Sequence, residues 1–237
     1  MNQQLETLAK KLLPEGSRRY LGAKHRELLF RRAMRRFLSS PESCAQSGSP
    51  VLQDLIYGWG NEMWSALDEY LVACIRSALV TKGPILECGS GLTTVLVGAI
   101  AQQRGLNMWS LEHEVEWAAR VRTILTRYRI DSVVVCDQPI TDYGEYCWYR
   151  APMESMPDSF DLVVCDGPPA VTKGGRYGLA PLFKGRFKPG CVILLDDAWR
   201  EEEQQIAERW ESELGASSSL RGTTKPFIEL RVAESLR

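Results

Sequence analysis

The chain has 237 residues, of which 44% are hydrophobic and 25% are charged, and its formal net charge at pH 7 is −1. These proportions exclude a disordered chain, and no apolar run is long enough to span a bilayer. A charge so near zero gives no overall attraction to nucleic acid. Seven cysteines without a Cys-x-x-Cys pair argue against a disulfide framework and a zinc ribbon. Because the sequence shows no signal-peptide pattern and no membrane-spanning run, we expect a cytoplasmic protein.

The N-terminal segment is basic and amphipathic. Arginines and lysines are concentrated over residues 18–36, and apolar residues from Leu21 to Phe37 recur at helical spacing. We expect a helix that packs on the main domain or on a second copy of the chain in a homodimer. Contact with an acidic substrate, nucleic acid or a membrane surface is the alternative. Residues 39–50 are rich in Ser and Pro and predict a linker or mobile loop, which divides the chain into an extension, 1–50, and a main domain, 51–237.

A helix is predicted to follow residues 58–64 and to run to Leu79. The tryptophans at 59 and 64 are expected to anchor this helix in the core. Alternatively, the helix closes over a cofactor, which Asn61 or Trp64 would then contact. The next run, residues 85–94, carries the most information, because an apolar strand pattern breaks into Glu-x-Gly-x-Gly and then into a helical pattern. Glycine lets the main chain turn sharply and approach a ligand, while the N–H groups that open the next helix face the space above the turn. Many ordinary strand-to-helix turns share this motif, so it is weak alone.

Each of the next four predicted strands is also followed directly by an acidic residue. The strands over 107–111, 133–136, 160–165 and 191–195 are followed by Glu112, Asp137, Asp166 and the pair Asp196 and Asp197. Helices are predicted between them over 115–128 and 176–187, the second ending before a turn at 188–190. Strands that alternate with helices indicate a parallel sheet, whose strands end at one edge where ligands bind. Residues 201–214 predict a further helix, and 217–222 with 227–232 predict a closing antiparallel hairpin.

The glycine turn is followed by Glu112 about 20 residues later, where a nucleotide-binding sheet holds a ribose diol. A diphosphate fits poorly, because the third glycine is missing and Glu87 would repel phosphate. The ammonium and sulfonium groups of S-adenosylmethionine (SAM) fit better. At these residues the chain resembles the class I SAM-dependent methyltransferases, over about residues 61–232. The resemblance implies an α/β, Rossmann-like, doubly wound sheet of about seven strands, and SAM contacts from Glu87, Gly89, Gly91, Thr93, Glu112, Asp137 and Asn61.

Three aspartates are expected to converge, because the strands that end in Asp166 and in Asp196-Asp197 would be neighbours. Clustered carboxylate oxygens suit hard divalent cations, which stabilise a deprotonated hydroxyl. The placement resembles the metal-dependent O-methyltransferases of the catechol type, which implies Mg²⁺ or Mn²⁺ at these aspartates. That family has a catalytic Lys three residues beyond the first Asp. This chain has Pro169 there, which leaves Lys173 as a displaced candidate base.

A second resemblance lies in three short runs: Asp166-Gly167-Pro168, Gly174-Gly175-Arg176 and Asp197-Ala198-Trp199-Arg200. They resemble the plant glucuronoxylan O-methyltransferases, which implies that Arg176 binds a carboxylate or phosphate of the acceptor. A salt bridge from Arg176 to the aspartates is the alternative. We therefore expect a SAM-dependent O-methyltransferase of a small-molecule or saccharide hydroxyl, with the glycine-containing loop closing over the acceptor. An RNA or protein methyltransferase and a non-catalytic SAM-binding protein are the alternatives.

Overall fold

The computed structural model describes residues 14–60 and 66–234, which form seven α-helices and nine strands. In chain order these are α1 Glu15–Ser39, α2 Pro50–Trp59, α3 Asp68–Val80, β1 Ile85–Cys88, α4 Leu92–Gln103, β2 Met108–Glu112, α5 Val115–Tyr128, β3 Val133–Asp137, β4 Ile140–Asp142, β5 Cys147–Tyr149, β6 Phe160–Cys165, α6 Leu179–Phe183, β7 Phe187–Leu195, α7 Glu201–Leu214, β8 Ala216–Arg221 and β9 Phe227–Val232. Short 3₁₀ helices occur at Pro41–Cys44, Met153–Ser155 and Lys184–Arg186.

Seven of the strands form one sheet in the order β3-β2-β1-β6-β7-β9-β8, and β4 pairs with β5 in a separate hairpin. The first five strands of the sheet run parallel, while β9 is antiparallel to both of its neighbours, β7 and β8. The chain moves outward from β1 to β3 and then returns to the other side of β1 at β6. This reversal opens a crevice at the carboxyl ends of β1 and β6. The predicted doubly wound α/β sheet with a C-terminal antiparallel hairpin is confirmed.

Two hydrophobic cores lie on opposite faces of this sheet. One is formed with helices α1 to α5, and the other with α6, α7 and the β4–β5 hairpin. Helix α1 belongs to the first core, because Phe30, Ala33, Met34 and Phe37 are buried there while its arginines at 31, 32, 35 and 36 are exposed. No helix of the described residues is long and apolar enough to cross a membrane.

Two of the predicted segments have a different structure from the one expected. Residues 39–50 are predicted as a linker or mobile loop, but they contain a 3₁₀ helix and bury Pro41, Cys44 and Ser49 against the domain. The helix predicted over 176–187 is limited to Leu179–Phe183 and a 3₁₀ turn, and β7 already begins at Phe187. The predicted turn at 188–190 is a bulge within β7, where the register with β6 shifts between Phe160 and Leu162.

Candidate active site

A cavity of about 1010 Å³ lies at the carboxyl edge of the sheet, at the crevice between β1 and β6. The loops that follow β1, β2 and β6 line it with residues 89–93, 112–114 and 166–171 (except Pro168). Aromatic side chains of Trp59, Trp117 and Tyr149 also line it, as do the charged residues Glu116, Arg120, Arg176, Asp197, Arg200 and Lys225. Its size and mixed lining suit a cofactor together with a small acceptor.

The two glycines of the turn after β1 have different roles. Gly89 has φ +89°, and a Cβ there would lie 3.0 Å from the Gly167 nitrogen, so a side chain would collide with the neighbouring backbone. Gly91 is extended, and a Cβ there would meet only Thr93 Oγ1, at 3.9 Å. Gly91 therefore leaves open space in the cavity directly before α4, whose first N–H groups lack helical partners.

Glu87 lies beneath this turn and does not line the cavity. Its buried carboxylate accepts hydrogen bonds from Thr93 Oγ1 at 2.6 Å, Thr94 Oγ1 at 2.6 Å and Ser110 Oγ at 2.5 Å. Burial raises the pKa of Glu87 to about 7. The sequence predicts that its charge attracts a cofactor ammonium. In the structure, Glu87 is buried and holds the turn and the start of α4 from within the protein.

Glu112 does line the cavity, at the end of β2. Its Oε2 accepts from the Ser90 N–H at 3.1 Å and the Ser90 hydroxyl at 2.7 Å, and its Oε1 accepts from the His113 and Glu114 N–H groups at 2.7 and 2.9 Å. Thr93 also lines the cavity. Asp137 pairs with Glu112 at the end of β3, one strand further from β1, and does not line the cavity. Asn61 lies outside the described residues.

The three aspartates converge as their placement predicts. One carboxylate oxygen from each of Asp166, Asp196 and Asp197 lies within 4.8 Å of the others. Two cations are inserted among them. The Arg176 Nη2 is 2.9 Å from Asp166 Oδ1 and 2.7 Å from Asp197 Oδ2, and the Lys225 Nζ is 2.6 Å from Asp196 Oδ2 and 2.8 Å from Asp197 Oδ1.

Arg200 and Glu203 complete this charged cluster. Arg200 Nη1 lies 3.1 Å from Asp197 Oδ2, and buried Glu203 lies 3.7 Å from Arg176 Nε. The cluster thus holds four carboxyl groups and three cations. The excess negative charge favours a proton bound to one of the carboxyl groups. Burial, together with the Asp196 charge, raises the pKa of Asp166.

The cations hold other members of the cluster in their charged forms. Burial alone would raise the pKa of Asp197, but Arg176 and Lys225 lower it below its usual value. Burial alone would lower the pKa of Lys225, but the Asp196 and Asp166 carboxylates raise it. Asp197 and Lys225 are therefore an ionised pair, which leaves Asp166 as the cavity-lining carboxyl that gains and loses a proton near neutral pH.

A divalent ion does not fit among these groups as they stand. Both oxygens of Asp197 are bonded to cations, and Asp196 is fully buried, with only its Oδ1 lacking a hydrogen-bond partner among the described residues. Mg²⁺ requires about six oxygen ligands in octahedral geometry. An ion would also lie beside the charges of Lys225 and Arg176. The predicted Mg²⁺ or Mn²⁺ would need Lys225 to move away.

The two basic residues predicted for catalysis are differently placed. Arg176 is 2% exposed, and its guanidinium also donates to the Asp196 carbonyl at 2.7 Å. Arg176 therefore forms the salt bridge to the aspartates, which was the alternative to binding the acceptor. Lys173 is exposed and donates to the Gly144 carbonyl, and it does not line the cavity. Neither side chain is therefore a free group above the aspartates.

Sequence reasoning missed Lys225 and Tyr149. Lys225 precedes β9, and the antiparallel direction of β9 brings its first residues to the edge where β7 ends, as the pair Leu195 and Ile228 shows. A predicted hairpin with this direction was a sufficient signal to place Lys225 beside Asp196. Tyr149 ends the β4–β5 hairpin, whose three-residue strands give little periodicity to detect.

Among solved structures, the chain is similar to several methyltransferases. The match to the S-adenosylhomocysteine (SAH)-bound methyltransferase PaMTH1 of Podospora anserina has a TM-score of 0.53 at 14% identity and covers 97% of this chain and 94% of that one. The match to the precorrin-6y C5,15-methyltransferase of Geobacter metallireducens GS-15 has a TM-score of 0.53 at 12% identity and covers 72% and 92%. Cofactor-bound Rv0187 from MTB gives 0.51 at 16% identity, over 73% and 83%. No family model and no curated protein matches. These likenesses show a shared fold.

Proposed function

We propose that this chain is a SAM-dependent methyltransferase that methylates an oxygen of a small-molecule or saccharide hydroxyl. The observation that carries the proposal is that Gly91, the start of α4, Glu112 and Asp166 line one cavity. These groups come from three different strand ends and meet at the crevice between β1 and β6. The fold shared with the SAH-bound methyltransferase PaMTH1 supports the same assignment.

The cavity offers complementary groups for each part of SAM. The unpaired N–H groups at the start of α4 suit the carboxylate of its amino acid end. Glu112 suits the ribose hydroxyls, which would replace the contact with the Ser90 side chain. The wall of Trp59 and Trp117, whose rings are 6.0 Å apart, supplies apolar area. When bound, SAM provides a methyl group on a cationic sulfur.

Asp166 is the residue best placed to accept the proton of the hydroxyl. It lines the cavity, its Oδ1 is fixed by Arg176, and no described residue donates to its Oδ2. Its raised pKa brings it close to the operating range of a general base. With SAM bound, the acceptor oxygen would bond to the methyl carbon as the carbon–sulfur bond breaks with its electrons on sulfur, and Asp166 would take the hydroxyl proton.

The cofactor assignment predicts a specific effect of substitution at Gly91. Gly91→Ala adds a methyl group to open cavity space without a clash inside the protein, so the fold should persist while SAH binding weakens about 10-fold or more. Titration calorimetry with SAM, SAH and NAD measures this. Gly22→Ala, where a Cβ has nothing within 4 Å, is the matched control. Absence of SAM and SAH binding by the wild-type protein, or equally tight NAD binding, would contradict the assignment.

The acceptor chemistry predicts a dependence on Asp166. Asp166→Asn should lower methyl transfer about 100-fold while SAH still binds, because the general base is lost and the shape is kept. Asp158→Asn, at the exposed other end of β6, is the control. Activity of the wild type should rise with pH through the raised pKa of Asp166, since only the ionised carboxylate accepts the proton. Labelled methyl transfer from SAM to catechols, sugars and sugar acids measures both. Full activity of Asp166→Asn would exclude this role.

A further inference from the structure

We propose that the Lys225 ammonium supplies the positive charge that metal-dependent O-methyltransferases take from a divalent ion. The proposal rests on the methyl-transfer function proposed above. It assigns a role to Lys225 in holding the acceptor oxygen, and it makes the reaction independent of metal. Three observations support the proposal: the position of Lys225 within the aspartate cluster, the way its loop is held, and its third N–H group, which is left to contact the acceptor.

The Lys225 ammonium occupies the place between the carboxylates that an ion would need. It contacts both Asp196 and Asp197, at 2.6 and 2.8 Å, and these are two of the three aspartates whose oxygens converge. The Lys225 side chain is 20% exposed and lines the cavity, whereas Asp196 is fully buried behind it. A cation that enters from the cavity therefore meets Lys225 before it reaches Asp196.

The loop that carries Lys225 is fixed from two sides. Glu69, in the first turn of α3, accepts hydrogen bonds from the N–H and hydroxyl of Thr223 and from the N–H of Thr224, at 2.9 to 3.1 Å. After the lysine, the carbonyl of Pro226 accepts from the Ala198 N–H at 2.8 Å, which ties β9 to the loop that follows β7. Lys225 is thus held by four side-chain and backbone anchors, unlike a mobile surface lysine.

The third N–H of Lys225 is the group that would meet the acceptor. An ammonium has three donors, and the described contacts use two of them, on Asp196 and Asp197. Asp166 lines the same cavity. An acceptor hydroxyl that donates its proton to Asp166 and accepts from Lys225 develops its negative charge beside a fixed positive charge, which stabilises the transition state. The ammonium keeps its proton throughout, so Lys225 positions and stabilises the oxygen.

The proposal is tested by metal binding, which requires no knowledge of the acceptor. The probe is Mn²⁺ alone, measured by electron paramagnetic resonance on the SAH-bound protein. Wild type should show no saturable Mn²⁺ site. Lys225→Ala removes the charge and frees oxygens of Asp196 and Asp197, so it should gain one site, which the further change Asp196→Asn removes. Lys188→Ala, which breaks the half-buried 2.7 Å pair with Asp161, is the matched control and should gain none.

Two further variants protect the test from misfolding. Lys225→Gln keeps most of the side-chain volume and should gain the Mn²⁺ site, whereas Lys225→Arg keeps the charge and should not. A saturable Mn²⁺ site in the wild type that Asp196→Asn abolishes would overturn the proposal. So would a folded Lys225→Gln that binds SAH but gains no Mn²⁺ site.

Turnover provides the second measurement. Wild-type activity should be unchanged by excess chelator, and Lys225→Gln should lose about 100-fold, as expected for a lost donor at a developing oxyanion. Loss of wild-type activity with chelator and its return with Mn²⁺ would refute metal independence. If neither SAM nor SAH bound, the proposed methyltransferase function would be contradicted. Mn²⁺ binding to the protein without SAH would still test whether Lys225 blocks the ion.

Discussion

At the scale of single residues, Glu87 shows that the acidic residue of the Glu-x-Gly-x-Gly motif acts on the protein itself. Its carboxylate is enclosed by three hydroxyl groups, from two residues of α4 and one of β2. These bonds join the end of β1 to the helix that starts at the cavity. The pKa of Glu87 is raised because burial penalises the ionised form more than the three hydrogen bonds stabilise it. The motif therefore carries a titrating group within the core.

Glu87→Gln should remove a pH dependence of stability. The folded-state pKa of about 7 lies above the ordinary value of 4.5, so the stabilising contribution is fully present below about pH 4.5 and is lost as pH rises through about 7. The lost contribution is up to about 3 kcal/mol. Urea unfolding at pH 5 and pH 8 measures it. Wild type should lose more stability than Glu87→Gln between these pH values. Glu154→Gln, an exposed control, should behave as wild type does. Equal losses in wild type and Glu87→Gln would contradict the raised pKa.

The residues of the site differ in how readily the sequence reveals them. Glu112 and Asp166 are indicated because each directly follows a strong apolar run, and a parallel sheet brings such ends together. Gly91 is indicated by the glycine turn after β1. Arg176 was found, but its role depends on distances that spacing does not give. Lys225 lies 28 residues beyond Asp197 in the chain, and its place follows from the direction of β9 alone. Contacts between distant segments are what the sequence pattern leaves open.

At the scale of elements, strong periodicity and clear end signals gave correct bounds. The predictions for α5, α7 and β9 are confirmed at both ends, and Gly215 ends α7 in the left-handed conformation with φ +61°. The short β4–β5 hairpin was missed, although Gly144 with φ +91° forms part of its turn. The helix predicted from residue 176 begins later because Arg176 turns inward to the aspartates, and local propensity carries no information about that interaction.

The loop over residues 172–178 is packed against this hairpin. The Cys147 N–H donates to the Lys173 carbonyl at 2.8 Å, and a Cβ on Gly174 would lie 2.7 Å from Tyr146 Cβ. The sequence predicts that these glycines give the loop freedom to close over the acceptor. In the structure Gly174 permits close contact with the hairpin and also needs its positive φ of +75°, whereas a Cβ on Gly175 would lie 3.3 Å from Ile206 of α7. The hairpin in turn places Tyr149 in the cavity wall.

Gly178→Ala should therefore destabilise the protein through the hairpin. A Cβ there would lie 2.8 Å from the Trp148 ring, which is fully buried and has no room to move, so the expected cost is about 1–3 kcal/mol. Gly185→Ala is the matched control, because a Cβ there meets nothing within 4 Å. Thermal unfolding of both variants measures the difference. Since Tyr149 follows Trp148, Gly178→Ala should also weaken SAH binding. Equal stability of the two variants would show that the hairpin yields to the added methyl group.

At the scale of the whole molecule, the described part of the N-terminal segment belongs to the same core as the sheet. Gly58 of α2 lets that helix approach α1, because a Cβ there would lie 2.7 Å from Phe30 Cβ. Phe30 also contacts the rings of Trp59 and Tyr128, at 5.9 and 6.1 Å, so α1 touches both α2 and α5. Trp59 lines the cavity. Helix α1 thus supports the cavity wall from behind, while its basic face remains exposed.

This arrangement predicts that α1 unfolds together with the rest of the molecule. Phe37 is fully buried in the first core, and Phe37→Ala should lower the stability of the main transition by about 3–5 kcal/mol. Leu28→Ala, on the same helix but 63% exposed, is the control and should change it by less than about 0.5 kcal/mol. Urea unfolding followed by both circular dichroism and tryptophan fluorescence measures the shift. If α1 were an independent extension, Phe37→Ala would leave the main transition in place and a separate early transition would appear. A shared core requires instead that both probes move together to lower urea.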